Sequence, residues 1–385
     1  MVFATAFAIL ALCITTQLTK AEPPPPDKYS IRVATYDVAL SRRYAGVLAQ
    51  EFRLGGSPQI AAVIEIIQRV QPDVILINNF DYDLRGIAAE LFRDTLSQAG
   101  PDVGEVHFPH LLSLPVNTGQ QTGYDVDSNG RTGGPSDAHG FGYFPGQYGM
   151  ILLSRYPFDE AAIRSFQRLR WSDMPASLIP TEYLGPAAAS FRLSSKSHWD
   201  VPIIHPNGKV IHLLASNPTP PIFDGEEDLN GRRNHDEIRF WVDYIGGEDW
   251  MTDDAGKTSA LPANRQFVVL GGLNQDTNDG SGRREALNAL MRLAPDPLPI
   301  GPGGVAMAAV GANQRHRGAP GLDTVDLPDE PGPGNLRVDY VLPSENLKVT
   351  GAGVFWPEPD DPLFRLVGSE KIISSDHRLV WVDIQ

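Results

Sequence analysis

Ser30-Ile31-Arg32-Val33-Ala34-Thr35-Tyr36-Asp37-Val38 is the stretch on which the fold turns. Apolar and polar residues alternate along it at two residues per repeat, which predicts a strand with Asp37 near its carboxyl end. Downstream, Ile60 to Val70 carries apolar residues at helical spacing until Pro72-Asp73 breaks it, and Val74-Ile75-Leu76-Ile77 follows as a buried strand. The same strand signature returns at Gly149 to Leu153, Val210 to Ala215, Phe267 to Leu270, Val338 to Leu342 and Leu379 to Ile384. Asp236 to Ile245 reads as a helix between two of them. Strands and helices interleave without a regular βαβ period or an internal repeat, so the expected class is layered α/β with mixed sheets, not a Rossmann or barrel plan.

The 385 residues are 42% hydrophobic and 21% charged, enough for one large core or two smaller ones and incompatible with a disordered or fibrous chain. Lys and Arg number 32 against 47 Asp and Glu, a net charge of −15 that repels polyanions and disfavours nonspecific nucleic-acid binding. Val2 to Leu18 is the run apolar enough to enter a membrane. It is followed by small residues in Thr19-Lys20-Ala21 and by the stiff Glu22-Pro23-Pro24-Pro25-Pro26. The expectation is a signal peptide over 1–21, cleaved after Ala21, then a Pro-rich leader over 22–29 and export to the periplasm or medium. An uncleaved N-terminal anchor is the alternative, because no Lys or Arg precedes the apolar run. The mature chain would then carry no membrane span. It would also lose Cys13, the single cysteine, which excludes disulfides, Cys-ligated zinc and a thiol nucleophile together. Pro and Gly crowd 295–335, which reads as a long surface excursion inside one domain spanning 30–385.

Seven segments, taken in order, carry a resemblance. Arg32 to Val38, Gln71-Pro72-Asp73-Val74 to Asn79-Phe80-Asp81, Gly149 to Arg155, Leu213 to Pro221, Val269 to Asn274, Arg337-Val338-Asp339-Tyr340 and Ser375-Asp376-His377-Arg378 resemble the successive motifs of the endonuclease/exonuclease/phosphatase superfamily, with its DNase I-like fold. Each motif is short, and it is their order that carries the match. The resemblance implies a four-layer sandwich, two mixed β-sheets face to face with helices outside, and a site at one edge where loops from both sheets converge. It implies a phosphoesterase: water attacks a phosphate ester with the help of Mg²⁺ or Mn²⁺, a carboxylate prepares the water, and His and Asn donors meet the phosphoryl charge. Asn274, Asp376 and His377 match family positions for these tasks, and Asp339 matches the residue that fixes the tautomer of His377.

Four other positions depart from the pattern. Asp37 stands where Asn is usual, Asn79 where a metal-binding Glu is usual, Asn217 where a His is usual, and Gly272 where Gly-Asp-x-Asn supplies a nucleophile-orienting Asp. Asp37 adds a carboxylate and Asn79 removes one, so a cation shared by Asp37, Asn79 and Asp376 would keep its ligand charge. Gly272 has no such compensation. Losing one positioned acid or base lowers rates roughly 10²- to 10⁴-fold. The expectation is a secreted pseudoenzyme that binds a phosphorylated small molecule, a phosphoester or a partner, with hydrolysis lost or strongly impaired. The alternative is an active phosphodiesterase, phosphatase or nuclease with a rearranged metal site.

Asp125-Val126-Asp127-Ser128-Asn129-Gly130 is similar to the first half of an EF-hand loop, making Asp125, Asp127 and Asn129 candidate ligands of a structural Ca²⁺. Its twelfth position is Ser136 in place of Glu, with Asp137 adjacent, and a plain Asx-turn loop is the alternative. Asp276 reads as a turn residue, with a reach to the site as the other option. Ser194 to Asp200 and Asp224 to Arg239 resemble loops around the site in secreted bacterial members of the family. There Arg233 or His235 suits a phosphate, or the segment is a helix start capped by Asn234. His107, His110, His205, His212 and His316 show no ligand spacing.

Overall fold

The computed structural model describes residues 22–100, 102–205, 207–368 and 372–385; the expected signal peptide, 1–21, lies outside them. In chain order the strands are β1 (Ile31–Leu40), β2 (Val74–Phe80), β3 (His110–Leu112), β4 (Gly149–Ser154), β5 (Arg164–Ser165), β6 (His198–Ile204), β7 (Val210–Ser216), β8 (Gln266–Gly272), β9 (Val325–Asp326), β10 (Asn335–Leu336), β11 (Asp339–Pro343), β12 (Val349–Val354) and β13 (Val380–Ile384). The helices are α1 (Val47–Leu54), α2 (Pro58–Val70), α3 (Ile87–Leu96), α4 (Thr181–Leu184), α5 (Leu229–Gly246), α6 (Glu285–Leu293) and α7 (Pro302–Met307).

β1 lies inside a six-stranded sheet ordered β12-β13-β1-β2-β4-β3. It runs antiparallel to β13, Ile31 opposite Ile384, and parallel to β2, Val33 opposite Val74. A second sheet, β11-β8-β7-β6-β5, is also mixed, with β7 and β8 parallel and the other neighbours antiparallel. Alternate residues of this second sheet serve two cores. Leu213, Ala215, Val268, Leu270 and Val341 share a core with β1, β2, β4, α2 and α3. Leu214, Val269, Tyr340 and Leu342 pack instead with Phe240, Trp241, Leu287 and Leu290 of α5 and α6. A strand sends successive side chains to opposite faces, so this partition stacks helices, sheet, sheet and helices in four layers.

The alternation read from β1 is not an alternation of burial. Arg32, Thr35 and Asp37 are as buried as Val33 and Tyr36, because paired strands and covering layers enclose both faces. Arg32 is accommodated by Asp383, which accepts from Nε and Nη2 at 2.8 Å each, by the Val70 carbonyl at 2.8 Å, and by the Trp381 ring 4.3 Å away.

Three further sequence expectations change. Residues 198–204 form β6, so the last three residues of the segment read as a loop from Ser194 to Asp200 are strand paired with β7. α5 begins at Leu229, seven residues before the expected start, so Asn234 is interior and is not the cap. The Asp224 carboxylate satisfies the helix start, accepting from Asn230 N at 2.8 Å and Gly231 N at 2.9 Å. The excursion 295–335 is not confined to the surface. It carries α7 and the β9–β10 ribbon, and it folds back so that Thr324 and Val325 are buried against His377 and Arg378. No helix among the described residues is long and apolar enough to cross a membrane.

Candidate active site

Irregularities at the ends of two adjacent strands aim the first pair of side chains. The β1–β2 register shifts between Asp37 and Leu40, and the β2–β4 register shifts between Asn78 and Phe80. Ala39 and Asn79 take φ of 50° and 51°, a left-handed conformation that Asn tolerates better than most residues. Asn79 Nδ2 donates to Asp37 Oδ2 at 2.5 Å, and Ala39 N donates to Asp37 Oδ1 at 3.1 Å. Burial pushes the Asp37 carboxyl up to about 6, His377 opposing and the charges of Asp339 and Asp376 reinforcing the rise.

The second sheet supplies the other half. Asp339 opens β11 opposite Gly272, the last residue of β8. His377 Nδ1 donates to Asp339 Oδ2 at 2.7 Å, leaving Nε2 toward Asp37 Oδ2 at 3.9 Å. Thr324, delivered by the excursion, donates its hydroxyl to the same Asp339 oxygen at 2.9 Å and accepts from Val338 N and Asp339 N at 3.0 Å each. Burial alone would lower the pKa of His377, but Asp339 and Asp37 outweigh it and raise it to about 10, so the ring is an imidazolium at neutral pH. Asn274, at φ 56°, donates Nδ2 to Asn217 Oδ1 at 3.2 Å and to the Pro218 carbonyl at 2.8 Å. Its amide hydrogens therefore tie loops together.

Gly272 brings no side chain to this arrangement, and the space beside it is tight. A Cβ there would sit 3.2 Å from Asp339 Oδ1 and 3.6 Å from Asn217 Oδ1. Asp339 Oδ1 and Asn217 Nδ2 are both buried without a hydrogen-bond partner among the described residues.

Asp37, Asn79, Asn274, Asp376 and His377 line one side of a cavity of about 1180 Å³. Arg233 also lines it, as does Lys196, which sequence reasoning did not single out. Nothing in Ser194-Ser195-Lys196-Ser197 announces a buried ammonium; a hydrophilic run reads as surface. His235 is absent from the cavity wall and has its Nδ1 3.0 Å from Asp236 Oδ1. Asp276 holds a turn: its Oδ1 accepts from Asn278 N at 2.6 Å and Asp279 N at 2.9 Å, and its Oδ2 accepts from Arg337 N at 2.8 Å.

A divalent cation shared by Asp37, Asn79 and Asp376 needs oxygen lone pairs turned toward it. An N–H bond of Asn79 instead points at Asp37 Oδ2, and the positively charged His377 ring stands beside the same oxygen. A divalent cation at these residues requires the Asn79 carboxamide to turn its oxygen toward it, and Asp37 and Asp376 would then supply the carboxylate oxygens. Elsewhere among the described residues, Asp125, Asp127 and Asp137 bring carboxylate oxygens within 4.8 Å of one another. These acids accept backbone hydrogens: Asp125 from Asn129 and Gly130, Asp127 from Asn129, and Asp137 from Val126 and Gly134. Asn129 Oδ1 accepts from Arg131 N at 3.0 Å, as in an Asx turn.

Among solved structures, the chain is similar to the endonuclease/exonuclease/phosphatase from Beutenbergia cavernae DSM 12333, with 18% identity and a TM-score of 0.51 over 92% of this chain and 71% of that one. It is also similar to an endonuclease/exonuclease/phosphatase family protein from Leptotrichia buccalis C-1013-b, at 16% identity and a TM-score of 0.45, covering 92% of this chain and 99% of that one. Sphingomyelinase C from Streptomyces griseocarneus gives 14% identity and a TM-score of 0.46 with the same two coverages, 92% and 99%. Identities this low speak for the fold alone. No curated protein matches the chain. The model of the Endonuclease/Exonuclease/phosphatase family matches residues 47–377, a span that begins in α1 and closes on the histidine held by Asp339. With two sheets stacked as that family requires and their strand ends meeting at one cavity, the chain belongs to the Endonuclease/Exonuclease/phosphatase family.

Proposed function

We propose that this protein is an exported member of its family that binds a phosphorylated small molecule or phosphoester and has lost, or nearly lost, the power to hydrolyse it. The observation that carries the reading is the bare Gly272, beside which Asp339 Oδ1 is left without a hydrogen-bond partner among the described residues. A general base must lie within hydrogen-bond reach of the proton it removes. Asp37 already receives two N–H bonds, Asp339 receives His377 and Thr324, and His377 is a proton donor at neutral pH. Binding survives this arrangement better than water activation does, since an imidazolium and neighbouring cations still attract a phosphoryl group. Export is supported by the apolar run Val2 to Leu18 with Ala21 after it.

A second reading, hydrolysis with Mg²⁺ or Mn²⁺ at Asp37, Asn79 and Asp376, is kept because both carboxylates line the cavity. It requires the Asn79 carboxamide to turn its oxygen to the ion. The test is to supply Mg²⁺ or Mn²⁺ and assay the purified protein on a chromogenic phosphodiester, a phosphomonoester and plasmid DNA. A variant carrying Asp37→Asn, Asn79→Glu, Asn217→His and Gly272→Asp is assayed beside it. Turnover by the fourfold variant alone is the expected result. Robust hydrolysis by the unmodified chain, abolished by Asp376→Ala, overturns the proposal.

A further inference from the structure

We propose that Lys196 and Arg233 form an anion site that holds the phosphoryl group of an organic phosphate in the cavity without a divalent cation. Both side chains line the cavity, and both are buried, at 7% and 4% exposure. A buried cation is costly unless an anion or a full set of acceptors compensates it. Arg233 donates Nε to the Leu193 carbonyl at 2.8 Å and Nη2 to the Arg192 carbonyl at 2.9 Å, and stacks 4.8 Å from the Phe191 ring. These contacts fix the guanidinium plane without neutralising it, and Nη1 makes no hydrogen bond to a described residue. Lys196 Nζ makes none either, and no described carboxylate forms an ion pair with either residue.

Glu237 lies closest in role to a counter-charge, but its oxygens are taken. Oε1 accepts from Ser195 N at 2.6 Å and Ser195 Oγ at 3.0 Å, and Oε2 accepts from Thr219 N at 2.7 Å. Burial accordingly lowers the pKa of Lys196, with Glu237 and Asp37 opposing the shift and Arg233 adding to it. Burial likewise drags Arg233 down to about 10, Glu237 opposing. An incoming anion would relieve both. A fixed guanidinium edge and a compact ammonium in one cavity wall suit a tetrahedral dianion, which offers several acceptor oxygens at once.

The rest of the cavity names the remainder of the ligand. At about 1180 Å³ it is far larger than an inorganic ion requires, and Phe191, Ile222 and Leu229 give it apolar walls. Phe141 and Phe223 also line it and are 51% and 90% exposed. The ligand class is therefore a phosphate ester with an apolar body, either a soluble small molecule or a lipid headgroup. The inference rests on the cavity being a ligand site and is independent of whether hydrolysis is lost.

Calorimetric titration of the purified chain in EDTA, with inorganic phosphate and with phenylphosphonate, separates the two questions because a phosphonate cannot be hydrolysed. Phenylphosphonate is expected to bind more tightly than phosphate. Lys196→Met should weaken it about tenfold or more, and Lys196→Arg should restore it. Phe223→Ala should weaken phenylphosphonate and leave phosphate unchanged. Co-sedimentation with phosphatidylcholine vesicles containing phosphatidic acid, lost in Lys196→Met, would assign the lipid source; binding of phenylphosphonate alone would assign the soluble one. Should Lys196→Met fail to fold, the unmodified chain gives a second readout. Its unfolding temperature in EDTA should rise with phenylphosphonate and not with neutral benzamide. Unchanged affinity in folded Lys196→Met, binding only when Mg²⁺ replaces EDTA, or no thermal shift overturns the proposal.

Discussion

At Asp37 a carboxylate that is 2% exposed sits between an amide N–H and an imidazolium, and burial still wins, moving its pKa from 3.8 to about 6. A carboxyl with a raised folded pKa holds its proton more tightly in the folded state. Folding stability therefore falls as pH climbs from 3.8 through about 6, and the loss is complete above that. His377 has a different window. Its pKa rises from 6.5 to about 10, so its contribution is whole below 6.5 and disappears as pH passes through about 10. Asp37→Asn should raise the unfolding temperature by roughly 2 °C or more at about pH 8 and change it little at about pH 4. Calorimetric scans at the two pH values check this; an equal shift at both, or a decrease at the higher one, contradicts the burial argument. Residue identity alone marked Asp37, Asn79, Asn217 and Gly272 as unusual. It did not reveal that Asn79 donates to Asp37, because that bond spans 42 positions and depends on the backbone irregularities at two strand ends.

Elements were legible where their buried face is apolar. Ile238, Trp241 and Ile245 lie at helical spacing and announce the second part of α5. Its first two turns bury Gly231, which donates to the Asp224 carboxylate, and Arg233 and Asn234, which donate to carbonyls of other segments, so no hydrophobic period marks them. The same applies to the excursion 295–335, where Gly and Pro predict a surface loop, and backbone bonds to 376–378 together with the Thr324 hydroxyl hold it to the site. Thr324→Val removes the donor to Asp339 and the acceptor of two backbone N–H groups while preserving shape. The expected loss is about 1–3 kcal/mol, with faster amide exchange in β9 and β10, read by denaturant titration and hydrogen exchange. Unaltered stability and exchange would show that the excursion is anchored by other contacts.

Across the whole molecule the two sheets converge on one cavity: Asp37 and Asn79 line it from the first, and Asn274 and Val338, next to the ends of β8 and β11, line it from the second. The overall charge of −15 bears on what can approach. The excess of carboxylates repels a long polyanion, and Asp127, Asp224, Glu227 and Asp279 carry that excess to the cavity wall itself. Fluorescence anisotropy with a labelled duplex oligonucleotide at about 0.15 M salt should therefore show no binding up to micromolar protein. A salt-sensitive rise would mean that a local basic surface dominates the overall charge.

Local spacing by itself determined β1, β2, β4, β7, β8, β11 and β13, the helix α2 and the second part of α5, the absence of cysteine after Cys13 and the order of motifs that marks the family, because periodicity and composition are properties of neighbouring residues. Only the tertiary structure decided which polar groups are buried and what each one faces. Arg32 meets Asp383 across 351 positions, Asp339 Oδ1 faces the bare Gly272, and the ammonium of Lys196 is enclosed in a cavity. Burial and partnership arise when distant segments pack together, and a charged or amide side chain carries no mark in the chain of whether water or protein will surround it.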